Sequence, residues 1–386
     1  MDKVLFSKIP GYSDLKGKLL DSHNSGRIGH ALLFLGEEGS ANLALAIAFA
    51  QFISCENKGQ NDSCGTCRSC VKFEKNVHPD VHFYYPTATS KSVPKKALSH
   101  LYASQWRTFL NENLFVSLSN WLLYMESEQK EAIIPTDESL QIIKDLSLKS
   151  FESPFRFAII WLPEKLNVQA SNRLLKIIEE PPKNVFFFLV SENDEAILPT
   201  ILSRTQILRI GKMTSTDLSK WLKDTNPGLS ESDLTFALKY AEGNPLNASL
   251  ALNKDSEQIG VTEDFIAWAR LCYELGKKLP DLIKWSETMA GQKRNDQKDF
   301  LVYGMEFLRA GMLRISDTSE LNHLYPEEEQ HVSKFSALLN TKNVPLLIDE
   351  INSAIYNLER NANAKILFLN LSVKFGKLIN PKNVNL

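Results

Sequence analysis

The chain has 386 residues, 43% of them hydrophobic and 23% charged, which excludes an intrinsically disordered chain and leaves room for two or three domains with cores of their own. Its 44 Lys and Arg against 46 Asp and Glu give a net charge of -2, so no overall basic field holds nucleic acid by phosphate neutralisation. No run approaches the roughly 20 apolar residues of a membrane span, and Met1 to Pro10 lacks the charged-then-apolar plan of a signal peptide, so the expectation is a cytoplasmic protein with no membrane partner.

The first strong element is Ala31 to Leu35, an unbroken apolar run of the kind that forms a buried parallel strand. It leads into Gly36-Glu37-Glu38-Gly39-Ser40-Ala41-Asn42-Leu43 and the helical spacing of Ala41 to Phe52, the strand, glycine loop and helix order of a phosphate-binding loop. The chemistry of such a loop is missing. It needs a lysine for the β and γ phosphates and a hydroxyl for magnesium, and those places hold Asn42 and Leu43, while the last loop glycine is Ala41. Glu37 and Glu38 also repel anions from the helix N-terminus. Gly36, Gly39, Asn42 and Leu43 therefore read as a degenerate loop with no ATP expected, although the segment alone is also what an ordinary glycine turn looks like.

Four of the five cysteines crowd into Cys55-x8-Cys64-x2-Cys67-x2-Cys70, leaving Cys272 alone in a helical stretch. In a reducing compartment that crowding suggests metal rather than disulfides, and four thiolates with no open position suit structural zinc. Iron-sulfur ligation also uses close cysteines, but the long first spacing departs from its common patterns. The module spans about residues 53–73. His78, in His78-Pro79-Asp80, reads as a turn residue before a strand at Val81 to Tyr85, because the cysteines already fill a tetrahedron.

From Pro86 to Ala132 the aromatics Trp106, Phe109, Phe115, Trp121 and Tyr124 are spaced for one or two amphipathic helices that pack on a core. Lys91, Lys95 and Lys96 ahead of them read as a solvated loop. Phe157 to Leu162 and Val185 to Val190 are two more buried strands, and the helical stretch Ala170 to Glu180 is stopped by Pro181 and Pro182. Enzymes with a phosphate-binding loop hang a magnesium-binding acid on a strand such as Phe157 to Leu162; here the expected acidic pair is Trp161-Leu162. Glu164, beyond Pro163, reads as a solvated loop residue.

Alternating strands and helices imply an α/β sheet covered on both faces. After Ile210 the strand signals fade, and Ser215 to Leu222, Ser230 to Ala241 and nearly everything from Phe265 onward read as amphipathic helix. Joints fall at Gly211 to Ser215 and Asn253 to Gly260. The expected class is α/β plus all-α, with an α/β domain over 1–211, a small helical unit over 212–256 and a larger helical domain over 257–386.

Three phrases occur in order: Arg27-Ile28-Gly29-His30-Ala31-Leu32-Leu33-Phe34, Asn172-Arg173-Leu174-Leu175-Lys176-Ile177-Ile178-Glu179-Glu180-Pro181-Pro182, and Leu198-Pro199-Thr200-Ile201-Leu202-Ser203-Arg204. Together they resemble the clamp-loader branch of the AAA+ family. The resemblance implies an AAA+ sheet domain with a zinc module, a helical lid at 212–256 and a C-terminal helical collar at 257–386, in which Asn361 to Leu371 resembles the last collar helices. The passage 86–132 is longer than the family's usual connection and counts as an insertion. The cysteine spacing is similar to that of delta-prime and gamma-type subunits, where the site is structural zinc.

In that family the Ser-Arg dipeptide carries an arginine finger directed at the neighbouring subunit's ATP, and Arg204 is the matching position. A guanidinium suits the task because its fixed fork meets phosphate oxygens as charge develops during transfer. Thr205 stands where the family usually has cysteine. Ser191 matches a phosphate-sensing residue, though without nucleotide a strand-end cap suits it better. Leu246, in Ala241-Glu242-Gly243-Asn244-Pro245-Leu246, stands where active members turn an arginine toward ATP.

The function implied is that of a non-catalytic subunit of the bacterial DNA polymerase III clamp loader, assisting sliding-clamp loading in DNA replication. Its partners would be gamma/tau and delta type subunits in a hetero-pentameric ring, with the sliding clamp and primer-template DNA met through the complex. An ATP-hydrolysing gamma/tau-type motor is the enzyme alternative and needs the lysine and acid that Asn42, Leu43, Trp161 and Leu162 do not supply. A zinc-dependent nucleic-acid-binding module is the third reading and predicts salt-sensitive DNA affinity, which the balanced charge does not favour.

Overall fold

The structure is a computed structural model that describes residues 5–127, 130–252, 256–316, 326–380 and 382. Residues 128–129 of the expected insertion and 253–255 of the expected second joint lie outside the described residues. The chain divides into two compact units, Met1–Leu234 with Ala241–Ser249, and Thr235–Tyr240 with Leu250–Leu386.

In the first unit β1 (Ala31–Gly36), β2 (Val81–Tyr84), β3 (Arg156–Trp161), β4 (Val185–Ser191) and β5 (Gln206–Ile210) form a parallel sheet in the order β2-β3-β4-β1-β5. Ala31 pairs with Phe187 on one side, and Leu32 with Gln206 on the other. All residues of β1 and β3 are buried, as continuous apolar strands covered on both faces must be. The expected strands are present. β5 was not expected, because it is an edge strand whose exposed Gln206 and Arg209 interrupt the apolar run.

The helices of this unit are α1 (Ser13–Asn24), α2 (Asn42–Ser54), α3 (Arg68–Glu74), α4 (Ala103–Glu112), α5 (Leu118–Tyr124), α6 (Thr136–Ser147), α7 (Val168–Glu179), α8 (Pro199–Leu202) and α9 (Ser215–Thr225); α10 (Glu231–Ala241) and α11 (Pro245–Leu252) are shared between the units. α2 is apolar nearly all round and buried from Asn42 to Ser54 except at Ala44, as befits a helix wrapped by protein. α7 starts where Asn167 Oδ1 accepts the Ala170 N–H at 2.8 Å, a cap worth about 1 kcal/mol, and ends before Pro181. Thr214 and Ser230 cap α9 and α10 in the same way.

The loop entering β3 is fixed by the buried carboxylate of Asp80, which accepts the N–H groups of Phe151, Glu152 and Ser153 at 2.5, 2.8 and 2.8 Å. The stretch 86–132 expected as an insertion contains α4 and α5, whose Trp106, Phe109 and Trp121 are at most 2% exposed. They pack with Tyr85 and Trp161, and Trp121 Nε1 donates to the Pro86 carbonyl at 2.9 Å. The aromatic stripe is therefore core, as its spacing predicted.

The second unit is helical: α12 (Ser256–Tyr273), α13 (Leu275–Ala290), α14 (Arg294–Ile315), α15 (Pro326–Ser336), α16 (Asn343–Glu359) and α17 (Ala364–Ile379). Phe265, Trp268, Phe300, Phe307 and Phe375 centre its core, and Trp268 Nε1 donates to Ser372 Oγ at 2.8 Å. Gly376 lets α17 approach α12, since a Cβ there would lie 2.4 Å from the Cys272 carbonyl oxygen. Among the described residues no helix is long and apolar enough to cross a membrane.

Candidate functional site

The loops after β1, β3 and β4 leave the same end of the sheet, and the glycine loop lies there. Gly36 closes β1, and Gly39 turns with φ +76°. Asn42 stands at the lysine position and is 2% exposed. Its side-chain nitrogen faces the carbonyls of Gly36 and Ser191, both at 3.4 Å, and its Oδ1 accepts the Leu43 N–H at 2.7 Å. A side chain that would reach for phosphate is instead tied to the ends of β1 and β4.

The cradle itself is filled. The Gly39 N–H donates to the Val116 carbonyl of the insertion at 3.2 Å, and the Ser40 N–H to Glu37 at 3.0 Å. Asn244 Nδ2 donates to the Glu38 carbonyl at 2.7 Å. A Cβ added at Gly39 would meet Leu246 Cβ at 2.4 Å, so Leu246 lies directly on the loop.

Nearby, three carboxylates gather. Glu164 Oε1 accepts the Glu192 N–H at 3.0 Å. This corrects the expectation of a solvated loop residue: the turn at Pro163 to Lys165 folds Glu164 back over β4. Burial pushes the Glu192 carboxyl up to about 8, reinforced by the charges of Glu38 and Glu164 and opposed by Lys165. Burial likewise raises Glu164, against the Glu192 N–H. A polyanion brought here would face carboxyls that burial and mutual repulsion already press toward their neutral form. Ser191 is fully buried and its Oγ accepts the Asn193 N–H at 3.1 Å, a strand-end cap. Trp161, at the acid position of β3, is 1% exposed with its ring 5.3 Å from that of Trp106.

The cysteines come together. Cys55 follows α2, Cys67 caps α3 and Cys70 lies within it. The four Sγ atoms lie within 4.8 Å of one another, with Cys55 to Cys64 at 3.6 Å and Cys64 to Cys70 at 3.9 Å. A tetrahedron with metal–sulfur bonds of about 2.3 Å has edges of about 3.8 Å, so the donor set fits a zinc-sized ion. Gly65 makes the turn with φ +70°. The N–H groups of Cys64, Cys67 and Cys70 point at the sulfurs of Cys55, Cys64 and Cys67 at 3.3, 3.3 and 3.4 Å.

Burial opposes ionisation of Cys64, but the N–H groups of Thr66 and Cys67 outweigh it and bring the thiol down to about 6. Cys70 is pushed well up by burial and by the Cys67 and Cys55 sulfurs: crowded thiols hold protons until a cation replaces them. Asp62, between Cys55 and Cys64, accepts the N–H groups of Phe6 and Ser7 at 3.0 and 2.8 Å. His78 stays out of the cluster. It is buried against Phe73, and its Nδ1 accepts the Asp80 N–H at 3.2 Å.

Arg204 sits in the turn between α8 and β5. Its Nε and Nη2 both reach Glu179 Oε2 at 2.9 Å, and Nη1 donates to the Thr200 carbonyl at 2.9 Å. Two of the sequence phrases thus meet in one ion pair. Thr205 Oγ1 donates to the Leu202 carbonyl at 3.0 Å. Sequence reasoning missed Val116, Asn244, Glu179 and Glu192. A backbone carbonyl leaves no mark in a sequence, whereas the turn at Asn244-Pro245 was visible without its target.

The profile of the family described as "DNA polymerase III, delta subunit" matches residues 12–214. The chain is 28% identical over 235 residues to the DNA polymerase III subunit delta' of Escherichia coli (strain K12), covering 61% of this chain and 58% of that one. It is 28% identical over 190 residues to the delta' subunit of Bacillus subtilis (strain 168), covering 49% and 44%. The chain spans about half the length of the curated relatives it matches. A gamma-subunit-related protein of DNA polymerase III from Thermotoga maritima pairs with 94% of this chain and 100% of its own, at 14% identity and a TM-score of 0.37.

Proposed function

From the premise that this chain belongs to the DNA polymerase III delta-subunit family, we propose that it is a delta-prime type subunit of the replicative clamp loader that neither binds nor hydrolyses ATP. The observation that carries this reading is the filled glycine loop: Asn42 is tied to the sheet, and the Gly39 N–H is taken by Val116. An ATP-hydrolysing motor would need a lysine and a magnesium acid, and Asn42 and Trp161 are both buried in other work.

The working parts of the proposal are a sheet domain over 1–211, a lid over 212–256 and a collar over 257–386 that joins a ring with gamma/tau and delta type subunits in the cytoplasm. Through that ring the subunit assists loading of the sliding clamp on primer-template DNA. Cys55, Cys64, Cys67 and Cys70 hold structural zinc, which when bound cross-links the module and does no chemistry on substrate. Arg204 is the arginine finger offered to a neighbouring subunit's ATP. Its guanidinium is part exposed, in keeping with release toward a neighbour's phosphate.

The test is a reconstituted loader carrying wild type or Arg204→Ala, with ATPase stimulated by clamp and DNA. A loss of roughly tenfold or more, with the isolated chain inert toward ATP, is expected. Unchanged ATPase would reduce Arg204 to a structural residue.

A further inference from the structure

We propose that Asn113–Ser117, the tip of the insertion, is a built-in replacement for nucleotide: it occupies the phosphate cradle of the glycine loop and clasps that loop to α9. The inference rests on the reading above that the loop holds no nucleotide, and it assigns a positive role to a segment otherwise explained only as packing.

The tip is held rigidly at both ends. Asn113 Nδ2 donates to the Phe109 carbonyl at 2.9 Å where α4 ends, and Ser117 Oγ accepts the Asn120 N–H at 3.2 Å where α5 begins. The helices on either side are anchored by Trp106 and Trp121, both at most 2% exposed. What they present is the Val116 carbonyl, bonded to the Gly39 N–H, and the Phe115 ring, packed edge-on against Trp221 of α9 at 5.1 Å. Phe115 and Val116 are themselves buried.

The electrostatics explain why a carbonyl serves here. A phosphate brings full negative charges that require a lysine and magnesium, which this loop lacks. A carbonyl brings only a dipole. It satisfies the N–H donor without adding charge beside Glu164 and Glu192, whose carboxyls burial already presses toward the neutral form. Asn244 and Leu246 close over the same loop, so α9 and the start of α11 are held at the loop by the chain's own atoms.

The test is amide hydrogen exchange on the full-length chain, with and without magnesium ATP, for wild type, Phe115→Ala and Trp221→Ala. In wild type, residues 36–43 and 215–225 exchange slowly and are indifferent to ATP. In either variant both segments speed up together by roughly tenfold or more as the clasp opens, while residues 55–74 stay as they were. Loosening of 215–225 without 36–43, or of neither, would overturn the clasp. Trp221→Ala breaks the contact from a half-buried residue and carries the test should Phe115→Ala fail to fold. Slower exchange of wild type in ATP would instead overturn the no-nucleotide reading, a separate failure.

Discussion

Nε and Nη2 of Arg204 share a single oxygen of Glu179 at 2.9 Å, so the guanidinium rests folded against its own chain. In the proposed arginine-finger role, reaching a neighbour's phosphate requires this pair to open. For a part-exposed pair that costs about 0–1 kcal/mol. Glu179→Gln is expected to leave the reconstituted loader's ATPase equal or up to about fivefold faster, while Arg204→Ala removes it. Loss with Glu179→Gln as deep as with Arg204→Ala would mean that Glu179 aims the arginine rather than restraining it.

The cysteine cluster gives an independent prediction. Wild type is expected to carry zinc that Cys70→Ser loses, read by elemental analysis, whereas Cys272→Ser, buried far along the chain in the helical core, keeps it. Because structural zinc contributes about 10–16 kcal/mol in small modules, chelation should also speed amide exchange at Phe6 and Ser7, which Asp62 fastens to the module.

Restoring the missing phosphate chemistry is expected to fail. Asn42→Lys with Leu43→Thr puts back the lysine and hydroxyl, but Val116 and Leu246 still fill the cradle, so titration with a fluorescent ATP analogue should show no binding. The variant should also melt earlier, because a lysine at a position 2% exposed buries a charge at a cost of several kcal/mol. Tight nucleotide binding by this double variant would show that only the lysine was lacking.

A pH dependence follows from Glu138, which is fully buried and whose Oε2 accepts the Ser99 N–H at 2.9 Å. Burial, opposed by Ser99 and aided by Asp145, pushes its carboxyl up to about 7. The fold prefers the protonated form, so this contribution is whole below about pH 4.5, declines as pH rises and is lost above about 7. Chemical denaturation at pH 5 and pH 8 should show wild type losing a few kcal/mol more than Glu138→Gln. Parallel losses would remove Glu138 as the cause.

The sheet was legible where burial on both faces demands unbroken apolar runs, as in β1, β3 and β4. β5 escaped because one open edge lets Gln206 and Arg209 face water. The cysteine cluster was legible because metal chemistry requires both residue type and spacing. The absence of a lysine at Asn42 was plain, but not the Val116 contact on the glycine loop, since it is made by backbone. Glu164 was misread because its exposure depends on how the turn after β3 folds back, which spacing does not encode.

The order β2-β3-β4-β1-β5 also sets a timetable for synthesis. β1 leaves the ribosome early, yet both of its neighbours, Phe187 of β4 and Gln206 of β5 in the register, are made far later. At roughly 5–20 residues per second that apolar strand waits on the order of ten seconds or more for a partner. The cysteine module needs only its own short loop and can close meanwhile. The nascent chain therefore carries an unpaired hydrophobic strand through much of its translation, and demand for a holding chaperone should track that interval more closely than the stability of the finished fold.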